Sequence, residues 1–128
     1  PIAAPVYDFA THTRTGDVTI VEPRSIVIVE GILLLRFREI ADHLDLAVYI
    51  DVPEDVRLER RIKRDIAERG REPDDVRRQF SETVAPMHDR FVEPFRGRAH
   101  RTVELHEDYG PVADELIERL FDPTALAS

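Results

Sequence analysis

The chain has 128 residues, 42% of them hydrophobic and 34% charged, with no cysteine and a formal net charge of -8. That composition suits one globular domain around one core and excludes a disordered or fibrous chain, a disulfide framework and thiolate chemistry. Acidic charge argues against nonspecific binding to nucleic acid or anionic membranes, and no apolar run approaches the ~20 residues that span a bilayer, so a soluble cytoplasmic protein is expected.

The chain opens on Pro1 and on the extended-looking "PIAAPVYDF", which reads as the middle of something. Within it, Pro5 to Arg14 holds an aromatic, an acid, a histidine and an arginine without helical or strand periodicity, so a loop is predicted. Loops of this kind carry binding residues. Tyr7 can stack on a planar ring, and His12 can hydrogen-bond a base edge or sugar; a packed tyrosine and a surface histidine are the alternative.

"SIVIVEG", Ser25 to Gly31, is apolar at every position from Ile26 to Val29, which predicts a strand buried on both faces of a parallel sheet. Glu30 would then stand at the strand's carboxyl end, where ligands gather in open α/β sheets. It can serve a magnesium ion there or cap the following turn. "LAVYIDVP", Leu46 to Pro53, predicts a second strand, with Asp51 as a cap for the turn.

Pro53 and two acids then open a helix from Glu54 to about Arg69, with Leu58, Ile62 and Ile66 as its core-facing stripe and Gly70 as its stop. Further helices are predicted over Asp74 to Val84, Pro86 to Arg98 and Tyr109 to Phe121, the last with Val112, Leu116, Ile117 and Leu120 on one side. "RTVEL", Arg101 to Leu105, is a weaker strand. Strands alternating with helices indicate an α/β layered fold with a mostly parallel sheet, and no repeat or linker divides the chain.

Positive charge is concentrated between Arg57 and Arg78, with nine cations against six acids. That is a net +3, leaving -11 on the remainder. Arg57, Arg61 and Arg64 share one helix face. A solvated face with Arg61 offset by Asp65 and Arg64 by Glu68 is one reading. However, such pairs contribute only ~0.3 to 0.5 kcal/mol each. Arginine occurs eight times in this stretch against one lysine, and the helix ends on "ERGR". Planar guanidinium groups on a mobile corner suit polyphosphate, the other reading.

Together "PVYDF..H.R", "VIVEGIL", "DVRLERRIKRDIAERGR" and "PMHDRFVEP" resemble, in order and spacing, the uridine kinase family of P-loop nucleoside kinases over roughly Pro5 to Asp108. The resemblance implies a P-loop kinase-like fold and transfer of the γ-phosphate of ATP, or GTP, to the 5′-hydroxyl of uridine or cytidine, with Mg2+. It places Tyr7 and His12 at the pyrimidine and Arg61, Arg71 and Gln79 on the nucleoside side. Arg64, Arg69 and Arg71 match the lid that closes on the phosphates, Glu30 the magnesium-associated acid and Asp108 the acid near the adenine. A homotetramer is also implied.

The departure from the family pattern is as informative. No GxxxxGK[ST] loop occurs, and none of the five glycines has that arrangement. The family's proton-accepting aspartate would lie upstream of "PVYDF". The sequence is therefore read as one partial domain, the carboxyl-terminal part of a kinase. Nucleoside loop 5–14 and lid 57–79 are its functional parts. On this reading it is inactive alone and needs the missing half in cis or from another chain. Without the family's central strand, two apolar strand edges would be open to aggregation or to another chain. Alternatives are a pantothenate kinase or phosphoribulokinase relative, and a noncatalytic regulatory or oligomerisation module.

Overall fold

The structure is a computed structural model that describes residues 1–8, 11 and 13–122. It divides into two compact units, Pro1–Glu30 and Gly31–Ser128.

In the first unit, β1 (Ile2–Asp8) pairs antiparallel with β2 (Thr13–Val21), from Ile2 opposite Val21 to Asp8 opposite Thr13. Within the predicted loop over Pro5 to Arg14, residues 5–8 and 13–14 are strand. Their periodicity is hidden by an irregular register between Pro5 and Tyr7. Proline has no N–H for the ladder and is tolerated where pairing is interrupted. The carbonyl of Val6, inside that irregularity, accepts a 3.4 Å bond from the Thr15 hydroxyl.

The predicted strand over Ile26 to Glu30 does not form. These residues are irregular, and Ile28 is 92% exposed. An apolar run becomes a buried strand only when neighbouring backbone completes its hydrogen bonds, and no described residue pairs with this one. Glu30 accordingly lies in exposed irregular chain and not at the end of a strand.

In the second unit, a single-turn helix α1 (Arg38–Ala41) precedes β3 (Val48–Asp51), which runs parallel to β4 (Arg101–Glu104). Both strands fall inside the predicted runs. Between them lies the helical crossover that a parallel pair requires. Ala47, Tyr49, Val103 and, from the helices, Val76, Phe80, Ala85 and Val112 form the buried core.

α2 (Glu54–Arg69) has the predicted limits. Glu54 and Asp55 occupy its first turn, where carboxylates complement the helix dipole. Gly70 ends it in the left-handed region, at φ 58° and ψ 30°. No atom would obstruct a side chain there, so the requirement for glycine is one of backbone angle alone. Gly70→Ala is expected to lower stability by about 1 kcal/mol, and an unchanged denaturation midpoint would contradict this.

The side of α2 that turns inward differs from the prediction. Leu58 and Ile62 are half-buried, Ile66 is exposed, and the buried residue of the last turns is Asp65.

α3 (Pro73–Gln79) continues through a π-helical turn, Phe80–Val84, into α4 (Ala85–Phe91), followed by a 3-10 segment, Glu93–Arg98. The predicted helices over Asp74 to Val84 and Pro86 to Arg98 are therefore interrupted. Pro86 has no N–H to donate and its ring crowds the carbonyl of Glu82, which the wider turn accommodates. α5 (Tyr109–Phe121) has its predicted limits, with Val112 buried and Ile117 exposed.

At the carboxyl ends of β3 and β4, Asp51 pairs with Arg96 at 2.7 Å instead of capping the next turn. Glu93 and Glu104 join the same guanidinium at 3.6 and 3.3 Å. The Tyr49 hydroxyl donates to Glu93 at 2.9 Å. Burial, that hydrogen bond and the charges of Glu93 and Asp51 push the phenol up to about 12, against the opposing charge of Arg96. Its raised pKa supplies stability that is fully present below pH ~10 and is lost as pH rises toward 12. Tyrosine absorbance followed against pH is expected to keep a component that ionises only near pH 12. Loss of that component in Tyr49→Phe would assign it.

Candidate phosphate-binding site around Asp65

The arginines of α2 converge on one carboxylate. Arg64 approaches Asp65 Oδ1 through Nε at 3.0 Å and Nη2 at 2.8 Å. Arg69 Nη1 stands 3.4 Å from the same oxygen. Arg61 Nε and Arg71 Nη1 lie 3.6 and 3.4 Å from Oδ2. Four guanidinium groups around one carboxylate carry a formal net +3.

Helix geometry explains two of these contacts, adjacency in the chain a third and the glycine corner the fourth. Arg61 and Arg69 lie one turn before and one turn after Asp65, and Arg64 is its neighbour. Arg71 returns because the chain reverses at Gly70, and its backbone N–H donates to the Asp65 carbonyl at 3.1 Å. Gln79 of α3 closes the arrangement, its Oε1 accepting from Arg61 Nη2 at 3.1 Å and Arg71 Nη1 at 2.7 Å.

The side chain of Asp65 is 0% exposed, whereas those of the four arginines are 23 to 43% exposed. Burial alone would raise the Asp65 pKa, but the Arg64 hydrogen bonds and the charges of Arg64, Arg61 and Arg69 outweigh it and hold the carboxyl below its ordinary value. Arg61 is shifted down by burial and by its cationic neighbours, with Asp65 opposing. Its Nε–H and that of Arg57 are buried without a hydrogen-bond acceptor. A cluster with surplus positive charge and partly exposed guanidinium groups is chemically suited to an anion with several oxygens, such as a phosphate chain.

Of the residues singled out from the sequence, Arg61, Arg64, Arg69, Arg71 and Gln79 are brought together. Arg64 pairs with Asp65, not with Glu68, and Arg57 stands apart, 3.9 Å from Glu54. Asp108 caps α5, its Oδ1 accepting from the Gly110 N–H at 3.0 Å. Tyr7 and Glu30 belong to the first unit, Tyr7 lying opposite Arg14 on β1. His12 lies outside the described residues.

The residue that sequence reasoning passed over as a hub is Asp65. The available signal was its place four residues after Arg61 and four before Arg69, which marks it as an acceptor shared by both.

Among the described residues no three His, Asp or Glu side chains come together as a metal cage. Magnesium bound to a nucleotide needs none, because it keeps water and takes one or two carboxylates beside the phosphates. An exposed single acid such as Glu30 fits that mode. No helix among the described residues is long and apolar enough to cross a membrane.

Comparison with known proteins agrees with the motifs. The model of the Phosphoribulokinase / Uridine kinase family matches residues 1–109. A uridine kinase of Geobacillus kaustophilus is 50% identical over 94 residues, covering 73% of this chain and 44% of that protein. One from Halobacterium salinarum is 43% identical over 117 residues, covering 91% and 51%. One from Bacillus subtilis is 47% identical over 94 residues, covering 73% and 44%. The chain thus spans about half the length of the curated relatives it matches. With the family model covering most of its length, the chain belongs to the phosphoribulokinase/uridine kinase family, whose fold is that of the P-loop kinases.

Proposed function

We propose that this chain carries the acceptor-nucleoside and lid part of a pyrimidine nucleoside kinase, which transfers the γ-phosphate of ATP, or GTP, to the 5′-hydroxyl of uridine or cytidine. The observation behind this reading is the gathering of Arg61, Arg64, Arg69, Arg71 and Gln79 around Asp65. In phosphoryl transfer, charge spreads over the equatorial oxygens of the moving group, and cations fixed in place stabilise it.

In this reading Arg64, Arg69 and Arg71 close on the phosphates, while Arg61, Arg71 and Gln79 hold the nucleoside side. Tyr7 and His12 contact the pyrimidine ring, and Asp108 serves the adenine end. Glu30 associates with Mg2+, which when bound would neutralise phosphate charge. These roles belong to one cytoplasmic pyrimidine-salvage kinase, assembled as a homo-oligomer.

The 128 residues include no GxxxxGK[ST] loop, so a phosphate cradle must come from elsewhere, in cis or from another chain. A coupled assay with ATP and uridine on these 128 residues is expected to give no turnover. A rate of ~1 to 100 per second would refute the dependence on a second part. Calorimetry tests the acceptor site separately. Uridine or CTP binding that weakens in Tyr7→Ala and Arg61→Ala supports it.

Exposure of Ile26 to Val29 favours a second reading, a noncatalytic module that associates through this run. Self-association without any nucleotide binding would select it.

A further inference from the structure

We infer that Asp65 is a positioning residue, a buried anion that holds four otherwise mutually repelling arginines in one arrangement ready for a phosphate chain. The inference deepens the kinase reading and rests on it for the identity of the ligand.

Four observations carry it. The carboxylate is 0% exposed while its partners reach solvent, so Asp65 itself is not offered to a ligand. Both of its oxygens are used, Oδ1 by Arg64 and Arg69, Oδ2 by Arg61 and Arg71. Its backbone carbonyl takes the N–H of Arg71, so one residue fixes both the chain reversal and the side chain beyond it. Gln79 then ties Arg61 and Arg71 to α3. An unrestrained arginine loses about 2 kcal/mol of rotamer freedom when a ligand fixes it. Arginines already held by Asp65 lose less, which is how preorganisation raises affinity.

Simple charge counting predicts the opposite sign. Asp65→Asn changes the formal net charge from -8 to -7, which by itself favours an anion. The test is calorimetric titration of the 128-residue chain with inorganic tripolyphosphate, alongside nitrogen-15 NMR of the arginine Nε–H groups. Asp65→Asn is expected to bind about tenfold more weakly and to lose the slowly exchanging Nε–H signal of Arg64. Equal or tighter binding by a folded Asp65→Asn chain overturns the inference.

If the parent chain binds no tripolyphosphate, the phosphate reading fails, and the Arg64 signal alone decides the role of Asp65. A signal unchanged by Asp65→Asn overturns the inference, and its loss upholds it. Asp65→Glu covers the case in which Asp65→Asn does not fold. It keeps the charge but moves the carboxylate by one methylene. Positioning predicts weakened binding and a lost signal, whereas a purely charge-balancing role predicts both restored to the parent's.

Discussion

Under the proposed function, replacing Arg71 with alanine is expected to lower kinase turnover, assayed with the phosphate-loop part supplied, by on the order of a thousandfold, with the fold retained. Arg71 stands beyond the Gly70 corner, joined to both Gln79 and Asp65, and in the proposed reading it touches the acceptor and the transferring phosphate together. Removal of an arginine that stabilises transferring phosphoryl charge has effects of this size. Its contribution to stability is small, because a partly exposed ion pair is worth about 1 kcal/mol or less. The measurement is kcat and KM determined separately, with circular dichroism as the check on folding. A loss confined to KM would assign Arg71 to uniform binding and contradict the proposal. Arg71→Lys is expected to recover little, since an ammonium cannot present the planar pair of N–H groups that matches phosphate oxygens.

Asp65→Ala should be the most destabilising single change in α2, at about 3 kcal/mol near neutral pH. Four cations then face one another without their shared acceptor. The low end of the range for a broken buried pair applies because the arginines can turn to water. Urea denaturation of parent and variant measures it, and a difference below 1 kcal/mol would contradict the burial argument. The pH dependence has a definite sign. The Asp65 pKa is depressed in the folded protein, so its stabilisation is present above the unfolded value of about 3.9 and is lost as pH falls through the lower, folded one. The gap between parent and Asp65→Ala should hold constant from neutral pH to about 4 and narrow below it.

Local rules carried part of the fold. α2 has its predicted limits because Pro53, Glu54, Asp55 and Gly70 act on the backbone within one turn. β3, β4 and α5 were legible for similar reasons. Ile26 to Val29 was misread because an apolar run reports only that a strand would be buried if neighbours paired with it. The β1–β2 hairpin was missed because Pro5 and the bulge break the two-residue alternation. At the site, the residue types and the shared face of Arg61 and Arg64 were visible, and the family motif supplied Arg69, Arg71 and Gln79. Their meeting point was not visible. Periodicity placed Ile66 inward, whereas the fold turns Asp65 inward, a choice that depends on Arg71 returning at Gly70 and on Gln79 in another helix.

The parallel pairing of β3 and β4 bears on how the second unit assembles. Val48 meets Arg101, 53 positions later, so this ladder closes a long chain segment for only four paired positions. Bringing such ends together costs about 3.5 kcal/mol of chain entropy, beyond the constant term for any closure. The i→i−4 bonds of α2 need no such search. Contact order therefore places helix formation early and strand pairing late, with the speed of folding set by the sheet.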